Sequence, residues 1–187
     1  MHIFLVGEPG VGKSFLIERL LQLVQQPVYG FRTKKREEAG GLGFKVYIHP
    51  AGGPVVYGDD NTVGIHDGTG GGMRAVGAVF ETVGVGHLTG IPASSVVLMD
   101  ELGFLESSAP AFCRAVLEVL DGPYQVLAAV KPLDTPFLRS VRAHPGAQIY
   151  RITEENRDAL YATIQADLRG NAPGSPFMKG ARPGNGA

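Results

Sequence analysis

Two short stretches carry side chains whose types and spacing can do chemistry. Gly7, Glu8, Pro9, Gly10, Val11, Gly12, Lys13 and Ser14 follow directly on the apolar residues 3–6 and lead directly into Phe15, Leu16 and Ile17. Glycines let a loop close tightly round a polyphosphate with successive backbone N–H groups pointing inward, and a following helix adds the partial positive charge of its N-terminus. Lys13 is placed to reach the β and γ phosphates of a nucleoside triphosphate, and the Ser14 hydroxyl to serve as a Mg2+ ligand. Lys13 is expected to stand exposed, its charge matched by phosphate. The second stretch is Asp100-Glu101, directly after the apolar residues 96–99. Hydrolysis of a bound triphosphate needs one carboxylate for the magnesium shell and another to polarise the attacking water, and Asp100 and Glu101 suit these tasks in that order.

These stretches need elements to hold them, and the apolar pattern supplies alternating strands and helices. The spacing of Leu16, Leu20, Leu23 and Val24 predicts a helix from Lys13 to about Gln26, stopped by Pro27, then a short strand at 28–31. Residues 44–49 and 54–57, joined by Pro50-Ala51-Gly52-Gly53, predict an inserted β-hairpin at about 43–58. A glycine-rich loop follows at 58–72, and residues 75–88 favour a helix that Gly77, Gly84 and Gly86 oppose. The run at 96–99 suits a strand buried on both faces. Phe112, Val116, Leu117 and Leu120 mark a helix, followed by a strand at 126–130, a helix at 136–142, a strand at 148–152 and a closing helix at 154–168 capped by Thr153. Strands separated by helices imply a mainly parallel sheet, so the expected class is α/β: a three-layer P-loop fold with an inserted hairpin. One domain over 1–169 accounts for the pattern, with 170–187 as a flexible tail rich in Gly, Pro and Ala.

Composition narrows the partners. The net charge of −1 gives no global attraction to nucleic acid or anionic membrane, and the absence of tryptophan weakens any base-stacking nucleic-acid surface. No apolar stretch is long enough to span a bilayer, and the N-terminus begins with a strand, so the expected compartment is the cytoplasm. Cys113, the only cysteine, suits a small core residue on a helix better than a nucleophile. The histidines at 2, 49, 66, 87 and 144 are scattered, with none paired at metal-ligand spacing.

The chain resembles the small nucleoside-triphosphatases of the cancer-related nucleoside-triphosphatase type, also described from thermophiles. The likeness runs from Ile3 to about Leu168. It rests on the phosphate loop, on Gly30-Phe31-Arg32-Thr33 followed by Gly43-Phe44, on Asp100-Glu101-Leu102-Gly103 with Glu106, and on Thr153-Glu154-Glu155-Asn156-Arg157-Asp158. It implies slow hydrolysis of nucleoside triphosphates to diphosphates with modest base selectivity, and Asn156 and Arg157 near base or phosphates. The chain departs from the family pattern at Phe15, where a second threonine is common, and in Lys34-Lys35-Arg36-Glu37-Glu38. With Arg32, those cations form either a lid that closes over triphosphate on Gly40-Gly41 or an ordinary solvated charge run. Glu106 suits either a helix-start acid or an active-site group. Two other functions use the same loop: a kinase in which an acceptor hydroxyl replaces water, and an ATP-driven switch. Lys131-Pro132-Leu133-Asp134 lacks the spacing and the asparagine of a guanine-reading motif.

Overall fold

The computed structural model describes residues 1–170, side chains excepted at the last two. Eight strands form one sheet: β1 (His2–Val6), β2 (Val28–Glu37), β3 (Phe44–Pro50), β4 (Thr62–His66), β5 (Met73–Ala75), β6 (Val96–Leu102), β7 (Gln125–Val130) and β8 (Ala147–Arg151), in the order β5-β4-β3-β2-β6-β7-β1-β8. The β2, β6, β7, β1 and β8 neighbours are parallel. The strand that leads into the phosphate loop, β1, is separated from β6, which carries the acids, by β7 alone.

Core residues alternate between the two faces of this sheet. Val97 and Met99 of β6 join Phe4, Phe31, Phe80, Phe112 and Val116 on one side. Val96 and Leu98 join Leu5, Leu127, Ile164 and the Leu16, Ile17 and Leu20 stripe of α1 (Lys13–Leu21) on the other. Such two-sided burial requires the continuous apolar runs of β1, β6 and β7 and yields three layers. The helix α1 is shorter than expected, its last turns replaced by single turns from Leu23 N to Leu20 O and from Val24 N to Leu21 O.

An antiparallel insertion is present, but the expected pairing of 44–49 with 54–57 is not: β3 pairs instead with β2 and β4. β2 runs on to Glu37 and pairs antiparallel with β3, from Phe31 opposite Pro50 to Glu37 opposite Phe44. The basic stretch is therefore the first arm of the hairpin, not a lid beyond a strand end. Residues 54–57 form no strand; Asn61 ties them back, its Nδ2 donating to Ile48 O at 2.9 Å and Val56 O at 2.8 Å. The chain then forms β4 and β5 inside what the glycines suggest is loop, completing an antiparallel edge.

The glycine-opposed helix also exists, as α2 (Gly77–Val79), a π-helical stretch Phe80–Gly84, and α3 (Val85–His87). A Cβ on Gly84 would lie 2.8 Å from Phe112 Cδ2, so the missing side chain is what lets α4 (Pro110–Asp121) pack there. The elements α5 (Pro136–Arg142) and α6 (Arg157–Gly170) complete the layers. No helix of the described residues is long and apolar enough to cross a membrane. The expected tail, beyond Gly170, lies outside the described residues.

Candidate active site

The phosphate loop leaves β1 at Gly7 and enters α1 through Gly12, which has φ +95°. That left-handed conformation is strained for other residues, and a Cβ at Gly12 would also lie 2.7 Å from Arg157 Cδ. Contrary to expectation, Lys13 is buried, only 4% exposed. Its Nζ donates to Gly7 O at 2.8 Å and Glu8 O at 2.7 Å, so the lysine bends back and braces the loop it terminates. Burial lowers its pKa, and the Glu101 carboxylate opposes that shift. Nζ stands 3.5 Å from Glu101 Oε2.

The alternation of β6 sets the two acids. Asp100 continues the face of Leu98 toward α1, where its Oδ1 accepts from Ser14 Oγ at 3.1 Å. It is 3% exposed, and burial raises its pKa. Glu101 lies between two lysines: besides Lys13, its Oε1 meets Lys131 Nζ at 2.8 Å. Lys131 was not among the expected site residues. The available signal is the one that marks the acids, a charged residue directly after an apolar strand, β7.

Glu106 holds a turn beside the site. It lies in a 3-10 turn (Leu105–Ser108), buried, with Oε2 accepting from Gly103 N at 2.9 Å, so it fixes the turn just beyond Glu101. Burial pushes its carboxyl from 4.5 up to about 7. The native state therefore holds more protons than the unfolded chain between those values; the stabilisation is fully present below pH 4.5 and is lost as pH rises through about 7. At about 1.4 kcal/mol per pKa unit the loss is about 3 kcal/mol. Glu106→Gln keeps an acceptor without the charge, so the variant is expected to gain stability relative to the parent between pH 5 and 8 in urea unfolding. Parallel stability curves would contradict this.

Other candidates divide. Arg157 lies against Gly12, with its Cζ 5.0 Å from the ring of exposed Phe15, so both flank the loop. Asn156 is spent on its own turn: Oδ1 accepts from Thr153 N at 2.9 Å and Nδ2 donates to Arg151 O at 2.9 Å, while Thr153 Oγ1 accepts from Asn156 N at 3.3 Å. Arg32 is paired in register with Asp100, yet its guanidinium donates to Ala51 O at 2.9 Å and to the Glu18 carboxylate. Lys35 and Arg36 lie over the rings of Phe44 and Tyr57, at 3.9 and 4.8 Å. Burial pushes the Cys113 thiol up to about 11, in keeping with a packing role. His2, the first residue of β1, is buried, which lowers its pKa to about 4, and bonds Leu120 O at 3.0 Å.

A phosphate loop at the end of a central parallel strand, with acids on a second strand one place removed, defines the P-loop class of α/β proteins. A family model described as NTPase matches residues 2–165, and the chain belongs to that family. It is 28% identical over 179 residues to the nucleoside-triphosphatase THEP1 of Thermotoga petrophila, covering 91% of this chain and 94% of that protein. The THEP1 of Thermofilum pendens is 30% identical over 179 residues, at 89% and 94% coverage. The solution structure of a human cancer-related nucleoside triphosphatase superposes with a TM-score of 0.65, at 26% identity and coverage of 92% and 99%.

Proposed function

We propose that the protein hydrolyses nucleoside triphosphates to diphosphate and phosphate in a magnesium-dependent reaction, with Glu101 as general base. The juxtaposition of Lys13, Ser14, Asp100 and Glu101 carries this reading: a hydroxyl and a carboxylate 3.1 Å apart beside a lysine and a second carboxylate 3.5 Å apart. Relatives named nucleoside-triphosphatase over most of their length support it. Magnesium prefers oxygen ligands, typically one or two carboxylates together with phosphates and water, and the donor set of Ser14 Oγ and buried Asp100 fits that preference. When bound, the ion would supply charge neutralisation at the phosphate oxygens.

The chain's own groups have separable work. The loop holds the phosphates through the backbone N–H groups of its later residues, Pro9 having none and Gly7 donating to Val130 O, and Lys13 neutralises charge developing on the transferred group. Glu101 accepts a proton from water as the water oxygen bonds the γ-phosphorus and the bond from that phosphorus to the bridging oxygen breaks. A cavity of about 70 Å³ beside Glu101, lined also by Thr33, Gly103, Glu106 and Lys131, has room for water.

Phosphoryl transfer to a small acceptor draws on a different observation, a mostly apolar groove of about 230 Å³ lined by Glu8, Pro9, Phe104, Lys131, Pro132 and Leu133. Incubating the protein with each triphosphate, with magnesium or chelator and with or without candidate hydroxyl acceptors, separates the two. Magnesium-dependent phosphate release without acceptor is expected; product formed only with an acceptor would overturn the reading. Asp100→Asn is expected to lower magnesium-dependent nucleotide affinity and kcat together, each about tenfold or more, because it alters the ion's ligand. Unchanged magnesium dependence in calorimetry and turnover would remove Asp100 from that role.

A further inference from the structure

We propose that Lys131 is a second phosphate-binding cation, which leaves Glu101 for the γ-phosphate and so distinguishes triphosphate from diphosphate. The inference rests on the hydrolase reading only for the task of Glu101. Sheet order puts Lys131 in place. β7 lies between β1 and β6, and Val130 is the register partner of Val6 on one side and Leu102 on the other. The next residue, Lys131, therefore stands level with Gly7, where the loop begins, and its N–H donates to Leu102 O at 2.9 Å. Its stem lies along the bare Cα of Gly103, where a Cβ would come within 3.0 Å of Lys131 Cδ.

One carboxylate thus bridges two ammonium groups, at 2.8 Å from Lys131 and 3.5 Å from Lys13. Both Glu101 oxygens are engaged, yet a general base must offer one to water. The resting bridge must open before the reaction, and a γ-phosphate, with more charge than a carboxylate, is the partner able to open it. An ordinary half-buried ion pair contributes little to stability and would need no place in the phosphate site. Two cations of the hairpin arm are committed elsewhere: Arg32 to Glu18 and Ala51, Lys35 to Glu37 and Phe44. In this exchange Lys131 changes only its partner.

The test uses the full chain and its Lys131→Gln and Lys131→Arg variants. Calorimetry with magnesium measures affinity for a non-hydrolysable triphosphate analogue and for the diphosphate, alongside kcat. Lys131→Gln is expected to weaken the analogue about tenfold or more, the scale of one lost charge-assisted hydrogen bond, while diphosphate affinity stays within about twofold. The variant's kcat falls about a hundredfold, and Lys131→Arg recovers most of both effects. Diphosphate binding doubles as the control for folding. Analogue and diphosphate weakening together, or an unchanged analogue, would overturn the proposal. If the parent protein releases no phosphate from any triphosphate, the hydrolase reading fails, while the two affinities still decide the role of Lys131.

Discussion

Lys13→Ala is expected to lower kcat/KM for triphosphate about a thousandfold or more, the largest loss from any single change in the site. Two contributions combine. The ammonium group is lost from the β and γ phosphates, and the loop loses the brace from Nζ to the Gly7 and Glu8 carbonyls, at 2.8 and 2.7 Å. Lys13→Arg is no substitute, because the cradle leaves the lysine only 4% exposed and a guanidinium is larger. The fold is expected to survive, since the Leu16, Ile17 and Leu20 face of α1 is untouched. Phosphate release and calorimetry check the loss, with circular dichroism as the control. Normal hydrolysis by a folded Lys13→Ala protein would remove the loop from the chemistry.

Glu101→Gln is expected to cut kcat about a hundredfold or more while triphosphate affinity holds or rises severalfold. The amide cannot take a proton from water. It also releases Lys13 and Lys131, which the carboxylate holds in the resting structure at 3.5 and 2.8 Å, so both become available to phosphate. Single-turnover release and equilibrium binding separate the two effects. Full turnover in the variant, or a binding loss equal to that of Asp100→Asn, would contradict the division of labour between the acids.

The groups legible in the sequence are those whose meaning lies in adjacent residues. The phosphate loop needs its glycines, lysine and hydroxyl within one turn, and Asp100-Glu101 needs only the apolar strand before it. Lys131 is different, because its role depends on β7 lying between β1 and β6, and sheet order is not written in local spacing. Beside Pro132 and Asp134 it shows only a failed guanine-reading motif. The basic hairpin arm was hidden for another reason. Arg32 to Glu37 show no apolar alternation, since cations lying over Phe44 and Tyr57 take the place of apolar side chains. The burial of Lys13 is likewise a matter of backbone carbonyls curling round it, which residue type alone does not reveal. Glycine at 84 opposes a helix by propensity, yet the ring of Phe112 occupies the space it leaves.

Isotope labelling tests the central claim most directly. Triphosphate is turned over with magnesium in water enriched in oxygen-18, and phosphate and diphosphate are resolved by mass spectrometry. Attack of water on the γ-phosphorus predicts one labelled oxygen in each phosphate from a single turnover and none in the diphosphate, with Glu101→Gln slowing the appearance of label. Label in the diphosphate, or phosphate formed without label, would contradict hydrolysis by a water that Glu101 activates.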